Sequence, residues 1–172
     1  MKIIVISDTH GRSDRIEAVL RRNRDYDALL FLGDGLRDFL NLEAEPYCFR
    51  AVCGNCDGFS LSADTPTELT LTLDGVKIFM THGHGYSVKS GRGAITARGI
   101  ALDADVVLYG HTHVREEKYI SEGASVCGVS AKKGMYVFNP GSLGHPLESP
   151  PSFGVIEIRN GQVLLSHGEI KY

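Results

Sequence analysis

Five short apolar runs in this chain each stop, within about three residues, at a side chain able to bind a metal ion. The run from Ile3 leads into Asp8-Thr9-His10, Leu29–Leu32 leads into Asp34, and Ala51-Val52-Cys53 leads into Asn55. The run from Lys77 leads into His82, and Val106–Tyr109 leads into His111-Thr112-His113. Runs this short and this rich in β-branched and aromatic residues have strand length rather than helix length. In open α/β sheets ligands bind beyond the carboxyl ends of the strands, so five such ends can converge on one crevice. Gly11, Gly33, Gly54, Gly83 and Gly110 adjoin the five clusters and permit tight turns there.

The pattern predicts strands over Lys2–Ile6, Leu29–Leu32, Phe49–Val52, Val76–Met80, Val106–Tyr109 and Tyr136–Phe138. Two hairpins are signalled by turn chemistry. Asp74-Gly75 joins Leu69–Leu73 to Val76–Met80, and Asn160-Gly161 joins Val155–Ile158 to Val163–Leu165. Thr67–Leu73 alternates polar and apolar residues like a half-buried strand, whereas the early runs are continuously apolar, as in a sheet covered on both faces. A helix is expected after Ser13, which can cap it; Asp14 and Glu17 suit its N-terminal end, and Ile16, Val19 and Leu20 share a face. A second is expected over about Lys89–Leu102, weakened by Gly93 and Gly99. Early β-α-β order with later hairpins implies an α/β sandwich of mixed sheets. With 172 residues and no linker, repeat or low-complexity tract, the chain reads as a single domain over 1–172.

Charge and cysteine usage exclude several classes. A net charge of −3 offers no basic excess for neutralising phosphates, so a nucleic-acid partner is not expected. Arg21, Arg22 and Arg24 read as a solvated helix end. No apolar run approaches 18 residues, and the opening one stops at a charge, so no membrane span or signal peptide is expected. Four cysteines in a chain this long do not form a disulfide framework, which points to the cytoplasm. Cys53-Gly-Asn-Cys56 has redox spacing, but it overlaps Asn55 and lacks a second pair, so it reads as part of the donor cluster.

Taken singly, each cluster also reads as a turn or a helix cap. No such account covers five of the seven histidines falling inside them. Asp8, His10, Asp34, Asn55, His82, His111 and His113 are seven mixed oxygen and nitrogen donors. That is too many for one tetrahedral zinc and suits two divalent ions sharing a carboxylate, with Asp34 as the bridge. Imidazole with carboxylate accepts Mn²⁺, Fe²⁺, Zn²⁺, Co²⁺ or Ni²⁺. Among the remaining features, Asn139-Pro140-Gly141-Ser142 reads as a turn, Arg12 as a helix-face residue or a phosphate contact, and His145 and His167 as non-ligands.

Ser7-Asp8-Thr9-His10-Gly11, Gly33-Asp34, Gly54-Asn55-Cys56-Asp57, Thr81-His82-Gly83-His84 and Gly110-His111-Thr112-His113 resemble the motifs of the calcineurin-like metallophosphoesterases. The Asn-Cys-Asp form, the short length and Asn139–Ser142 resemble the small YfcE-type phosphodiesterase branch. The resemblance implies a four-layer α/β/β/α sandwich of two mixed sheets and a dinuclear centre, with manganese the first candidate metal. It places Asp8, His10, Asp34 and His113 on one ion, and Asp34, Asn55, His82 and His111 on the other. It further implies a hydrolase for small organic phosphate esters, in which a bridging hydroxide attacks phosphorus in line and no protein nucleophile is needed. The alternatives are a nuclease of the same superfamily and a metal-poor protein-interaction scaffold on the same fold. Scaffolds of that kind lose ligands, and this chain keeps all seven. One departure stands out: many members carry a histidine after the Asn, able to protonate the leaving group, where this chain has Cys56. His84 is then a candidate proton donor, and Asp57 a residue that orients a ligand by hydrogen bonding. Edge strands or the second hairpin could pair subunits in a homo-oligomer.

Overall fold

β-branched residues fill the first strand, and both of its faces are covered. In the computed structural model, which describes residues 1–40, 48–58 and 63–170, β1 spans Lys2–Ile6. Ile3 and Val5 point into one apolar core while Ile4 and Ile6 point into another. This two-residue alternation explains why the run is apolar at every position. β2 (Ala28–Phe31) and β3 (Cys48–Ala51) follow in parallel beside β1, with α1 (Ser13–Arg22) and the short α2 (Leu36–Leu40) in the connections. The sheet is completed by two antiparallel strands, β11 (Ser152–Arg159) and β12 (Gln162–Glu169), giving the order β12-β11-β1-β2-β3.

The second sheet repeats this plan with different strands. β4 (Glu68–Leu73), β5 (Val76–Thr81), β6 (Val106–Leu108), β7 (Arg115–Ile120) and β10 (Met135–Pro140) line up as β4-β5-β6-β10-β7. Its three central strands are parallel and both edges antiparallel. Val76, Ile78, Met80, Val106, Leu108 and Phe138 close against the inner face of the first sheet. Outside the first sheet, Ile16 and Val19 of α1 and Phe39 of α2 cover Ile4, Ile6 and Phe31. Outside the second, Ile95 and Ile100 of α3 (Gly93–Ala101) cover Phe79, Val107 and Tyr109. The result is the four-layer α/β/β/α sandwich. Each fully buried aliphatic side chain contributes about 1.5–3 kcal/mol, so the three cores dominate stability.

Both expected hairpins form with left-handed residues at their tips: Asp74 and Gly75 have φ +48° and +80°, Asn160 and Gly161 +52° and +76°. A third hairpin, β8 (Ser125–Val126) with β9 (Val129–Ser130), turns through Cys127-Gly128 in the same way. Two local expectations are corrected, and one strand was not foreseen. Ser13 lies inside α1; Arg12 holds the cap position without a side-chain cap bond, because the Thr9 carbonyl already accepts the Arg12 amide and the turn starts early. The helix expected from Lys89 starts at Gly93, since Ser87 takes φ +50° and a 3₁₀ turn occupies His84–Tyr86. β7, with the polar sequence Arg-Glu-Glu-Lys-Tyr-Ile, is a strand because it needs to bury little: it is an edge, and charge protects it from further pairing. No helix among the described residues is long and apolar enough to cross a membrane.

Candidate metal centre

Every strand that ends in a donor cluster ends at the same side of the sandwich. Five of the expected ligands turn the chain there through left-handed backbone: Asp8 (φ +54°), His10 (+44°), Asp34 (+60°), His111 (+66°) and His113 (+60°). A non-glycine residue in that region costs about 1 kcal/mol or more and persists only where its surroundings hold it. Specific hydrogen bonds hold these. The Asp8 amide donates to the Gly33 carbonyl (2.9 Å), and the Asp8 carbonyl accepts from the Gly144 amide and the Ser142 hydroxyl (both 2.8 Å). The His10 amide donates to the Asp34 carbonyl (3.2 Å), and the His111 amide to Asp8 Oδ2 (3.0 Å).

The side chains meet as two groups. Asp8, His10 and His113 place one donor atom each within 4.8 Å of one another, and so do Asp34, His82 and His111. Asp8 Oδ1 lies 3.2 Å from His113 Nε2 and 3.9 Å from both His10 Nε2 and His82 Nε2. Asp34 Oδ2 is 3.3 Å from His82 Nε2 and 4.0 Å from His10 Nε2, so it faces both groups. Neighbouring groups aim these atoms. His82 Nδ1 donates to the Leu32 carbonyl and His113 Nδ1 to the His145 carbonyl, both at 2.7 Å, which turns each Nε2 toward the centre. Asp8 Oδ2 accepts from Ser7 Oγ (2.5 Å), and Asp34 Oδ1 accepts from the Cys56 amide (2.7 Å), leaving the second oxygen of each free to ligate.

The fit to cations follows from what is left over. Asp8 Oδ1 and His82 Nε2 are fully buried without a hydrogen-bond partner. Such atoms are costly unless satisfied, and a divalent ion satisfies a carboxylate oxygen and an imidazole nitrogen together. The electrostatics agree. Burial would raise the Asp34 carboxyl, but the contact and charge of His82, with the Cys56 amide, hold it below the usual carboxylate range. Burial first, then the charges of His82 and Lys89, push His111 down to about 4, so its imidazole is a neutral donor near neutrality. Burial likewise lowers His10 and His84. His113 is raised by its contact with Asp8, and in His82 the two carboxylates outweigh a burial effect of opposite sign.

The remaining expected residues sit around this cluster. Asn55 is exposed at the rim, where its amide nitrogen donates to Cys56 Sγ at 3.3 Å. Cys56 Sγ falls within 4.8 Å of donor atoms on His10 and Asp34, and burial and the Asp34 carboxylate push its thiol up to about 11. Asp57 accepts four backbone amides, from Asp34, Gly35, Leu36 and Gly54, at 2.8–2.9 Å. It thereby ties the Asp34 loop to the Asn55 loop and starts α2. These loops are pressed together: a Cβ on Gly54 would lie 2.1 Å from Asp34 Oδ1. His84 stands behind the centre, its ring centroid 5.5 Å from that of His82 and its Nδ1 buried without a hydrogen bond. Arg12 pairs with Asp14 at 2.7 Å. Asn139 organises rather than contacts, bonding the Gly110 carbonyl (3.0 Å) and Thr112 Oγ1 (3.1 Å).

Two residues near the centre make contacts that the sequence reading did not foresee; His145, read there as a non-ligand, belongs to no donor group among the described residues. His145 stacks on His10 with ring centroids 4.8 Å apart. The signal was its place three residues after Ser142, whose hydroxyl binds both the Asp8 carbonyl and the His145 amide (both 2.8 Å). Lys89, exposed, bears electrostatically on both His111 and His113. Only its position between the His82 and His111 clusters hinted at this.

Comparison with known proteins finds a family model, curated relatives and solved structures of the same fold. Residues 1–161 match the calcineurin-like phosphoesterase superfamily domain. The probable metallophosphoesterase YsnB of Bacillus subtilis is 29% identical over 93% of this chain and 86% of its own. Phosphodiesterase YfcE of Escherichia coli K12 is 29% identical over 91% of this chain and 88% of its own. A crystal structure of a Streptococcus pneumoniae TIGR4 protein, described as a predicted phosphoesterase, superposes with a TM-score of 0.72 at 28% identity, covering 96% of this chain and 87% of that one. With sheet order, donor pattern and family match in agreement, the chain belongs to the calcineurin-like phosphoesterases, a family of metal-dependent hydrolases.

Proposed function

We propose that this protein is a phosphodiesterase that hydrolyses small organic phosphate esters with two divalent ions, manganese first among them. The observation that carries this reading is the placement of Asp34: one oxygen faces both donor groups, 3.3 Å from His82 and 4.0 Å from His10. Asp8, His10 and His113 would hold one ion together with Asp34; His82, His111 and Asn55 would hold the other with it. Bound ions would supply an activated water and neutralise charge growing at phosphorus. The chain does the rest by fixing geometry. Leu32 and His145 carbonyls lock the tautomers of His82 and His113. Asp57 holds the Asp34 amide in place and acts as a positioning residue.

Leaving-group protonation is the weak step. The Cys56 thiol holds its proton too tightly to be a strong acid at neutral pH. His84, lowered by burial, is neutral there and accepts a proton more readily than it gives one. The reading therefore favours esters whose leaving group departs without help. Metal analysis of the purified protein should find up to two ions per chain. Turnover of a chromogenic diester should depend on added Mn²⁺, Ni²⁺, Zn²⁺ or Mg²⁺, and the rate should fall steeply as the pKa of the leaving phenol rises. A flat dependence removes the leaving-group argument. No uptake of any ion points instead to a scaffold.

A further inference from the structure

A cleft of about 250 Å³ opens beside the metal centre, with His10 and Cys56 at its inner edge and Arg37, Asp38, Asp57 and Gly58 around it. Its two acids are already engaged. Asp57 accepts four amides, and Asp38 Oδ2 accepts from Thr9 Oγ1 and the Gly11 amide, both at 2.7 Å. Arg37, exposed in the first turn of α2, makes no ion pair or hydrogen bond with another described residue. Among the described residues lining the cleft, the charged side chain left uncommitted is a guanidinium, whose fork of donors matches a carboxylate or phosphate.

The cleft is smaller than the roughly 300–1,000 Å³ typical of pockets for larger ligands, which limits its occupant to a short arm. One ester arm of a phosphodiester centred on Asp34 would enter it past Cys56 and reach Arg37. We propose that Arg37 determines specificity by binding an anionic group, carboxylate or phosphate, at the end of that arm. This rests on the phosphodiesterase reading and narrows it: the favoured substrate class is a small diester with a negatively charged arm. Arg37 is not among the metal-ligating groups, so its contribution is to binding, in KM, rather than to the chemical step.

The test uses symmetric diesters, so that whichever arm enters the cleft carries the group. Diphenyl phosphate, bis(4-carboxyphenyl) phosphate and bis(4-phosphonophenyl) phosphate are compared on Mn²⁺-loaded wild type, Arg37→Ala and Arg37→Lys. In Arg37→Ala the ratio of kcat/KM for a charged ester over diphenyl phosphate should fall about tenfold, through KM. Arg37→Lys should fall between the two. The ester whose ratio falls further identifies the preferred anion. Calorimetric titration of the metal-free proteins with bis(4-carboxyphenyl) phosphate should show a matching loss of affinity in Arg37→Ala, independent of turnover. A ratio and an affinity that both survive within twofold overturn the assignment of Arg37. Wild type that binds the charged ester through Arg37 and hydrolyses neither these three nor bis(4-nitrophenyl) phosphate, whose leaving group needs no proton, leaves that assignment standing and overturns the phosphodiesterase reading.

Discussion

At one end of the sandwich Asp74 and Asn160 take φ of +48° and +52°, each followed by a glycine; at the other, Asp8, His10, Asp34, His111 and His113 take +44° to +66°. The backbone conformation is the same and its causes differ. In the hairpins the residue pair itself selects the turn, and the glycine tips face open space: added Cβ atoms on Gly75 or Gly161 would meet no atom within 4 Å. At the metal centre the conformation is imposed from far away in the chain, by bonds from Gly33, Ser142 and Gly144 to Asp8 and from Asp57 to Asp34. Strain at the first end is a folding device. At the second it aims donors that would otherwise point elsewhere, and it is maintained by loops that must all be in place together.

The sharpest way to break this division is to remove the one carboxylate that both donor groups share. Asp34→Asn keeps the volume and the left-handed backbone, which asparagine tolerates, and removes the negative oxygen facing His82 and His10. If Asp34 bridges as proposed, its loss should cost several kcal/mol of activation, about a thousandfold in turnover, and should lower the bound metal as well. Metal analysis and diester turnover on the same preparation check this. Near-normal turnover would refute the bridging role.

Gly54→Ala tests whether the loops at this end are as tightly coupled as they look. The new methyl would sit 2.1 Å from Asp34 Oδ1 and 2.6 Å from the Asp34 amide, and the second of these is backbone that cannot swing aside. Overpacking of this kind costs about 3 kcal/mol. Urea unfolding should report that loss, and titration with Mn²⁺ should show weakened affinity, because the displaced group is a proposed ligand.

The strands and hairpins were legible because their causes are local. β1 matches its expected bounds residue for residue, and Asp74-Gly75 and Asn160-Gly161 turn as their residue types require. Convergence of the five strand ends could be inferred too, because parallel strands deliver their carboxyl ends to one side. α2 could not, since the Asp57 carboxylate that accepts the Leu36 amide lies 21 residues further along the chain. His145 was hidden for a similar reason: only the folded path from Asn139 shows that the Ser142 hydroxyl pins the next loop to the Asp8 carbonyl. β7 carries no apolar alternation because an edge strand can be built with little burial. What the sequence conceals is the set of contacts that exist only after two distant loops have met.

Asp57→Ala addresses those contacts directly. Removing the carboxylate leaves four amides without their acceptor, and half-exposure lets water replace some of the bonds, so the loss should be about 2 kcal/mol. Asp57→Asn, with one acceptor oxygen instead of two, should recover part of it. Metal affinity should fall in the same order as stability, measured by unfolding and by Mn²⁺ titration. A stability loss with metal affinity intact would mean that Asp57 only caps α2.

The smallest effect is expected at the far end, and it is the one that isolates the comparison. Gly161 has φ +76° and open space around the missing Cβ, so Gly161→Ala brings a side chain into the left-handed region without a clash. The cost is that of the backbone alone, about 1 kcal/mol. It is the same kind of strain that Asp8 and Asp34 already bear, here with no ligand depending on it. Unfolding should show the loss, while Mn²⁺ affinity and diester turnover stay at the wild-type level. If Gly161→Ala weakened metal binding as Gly54→Ala should, strain at the hairpins would be transmitted along β11 and β1 to Asp8, and the two ends of the sandwich would be one mechanical unit rather than two.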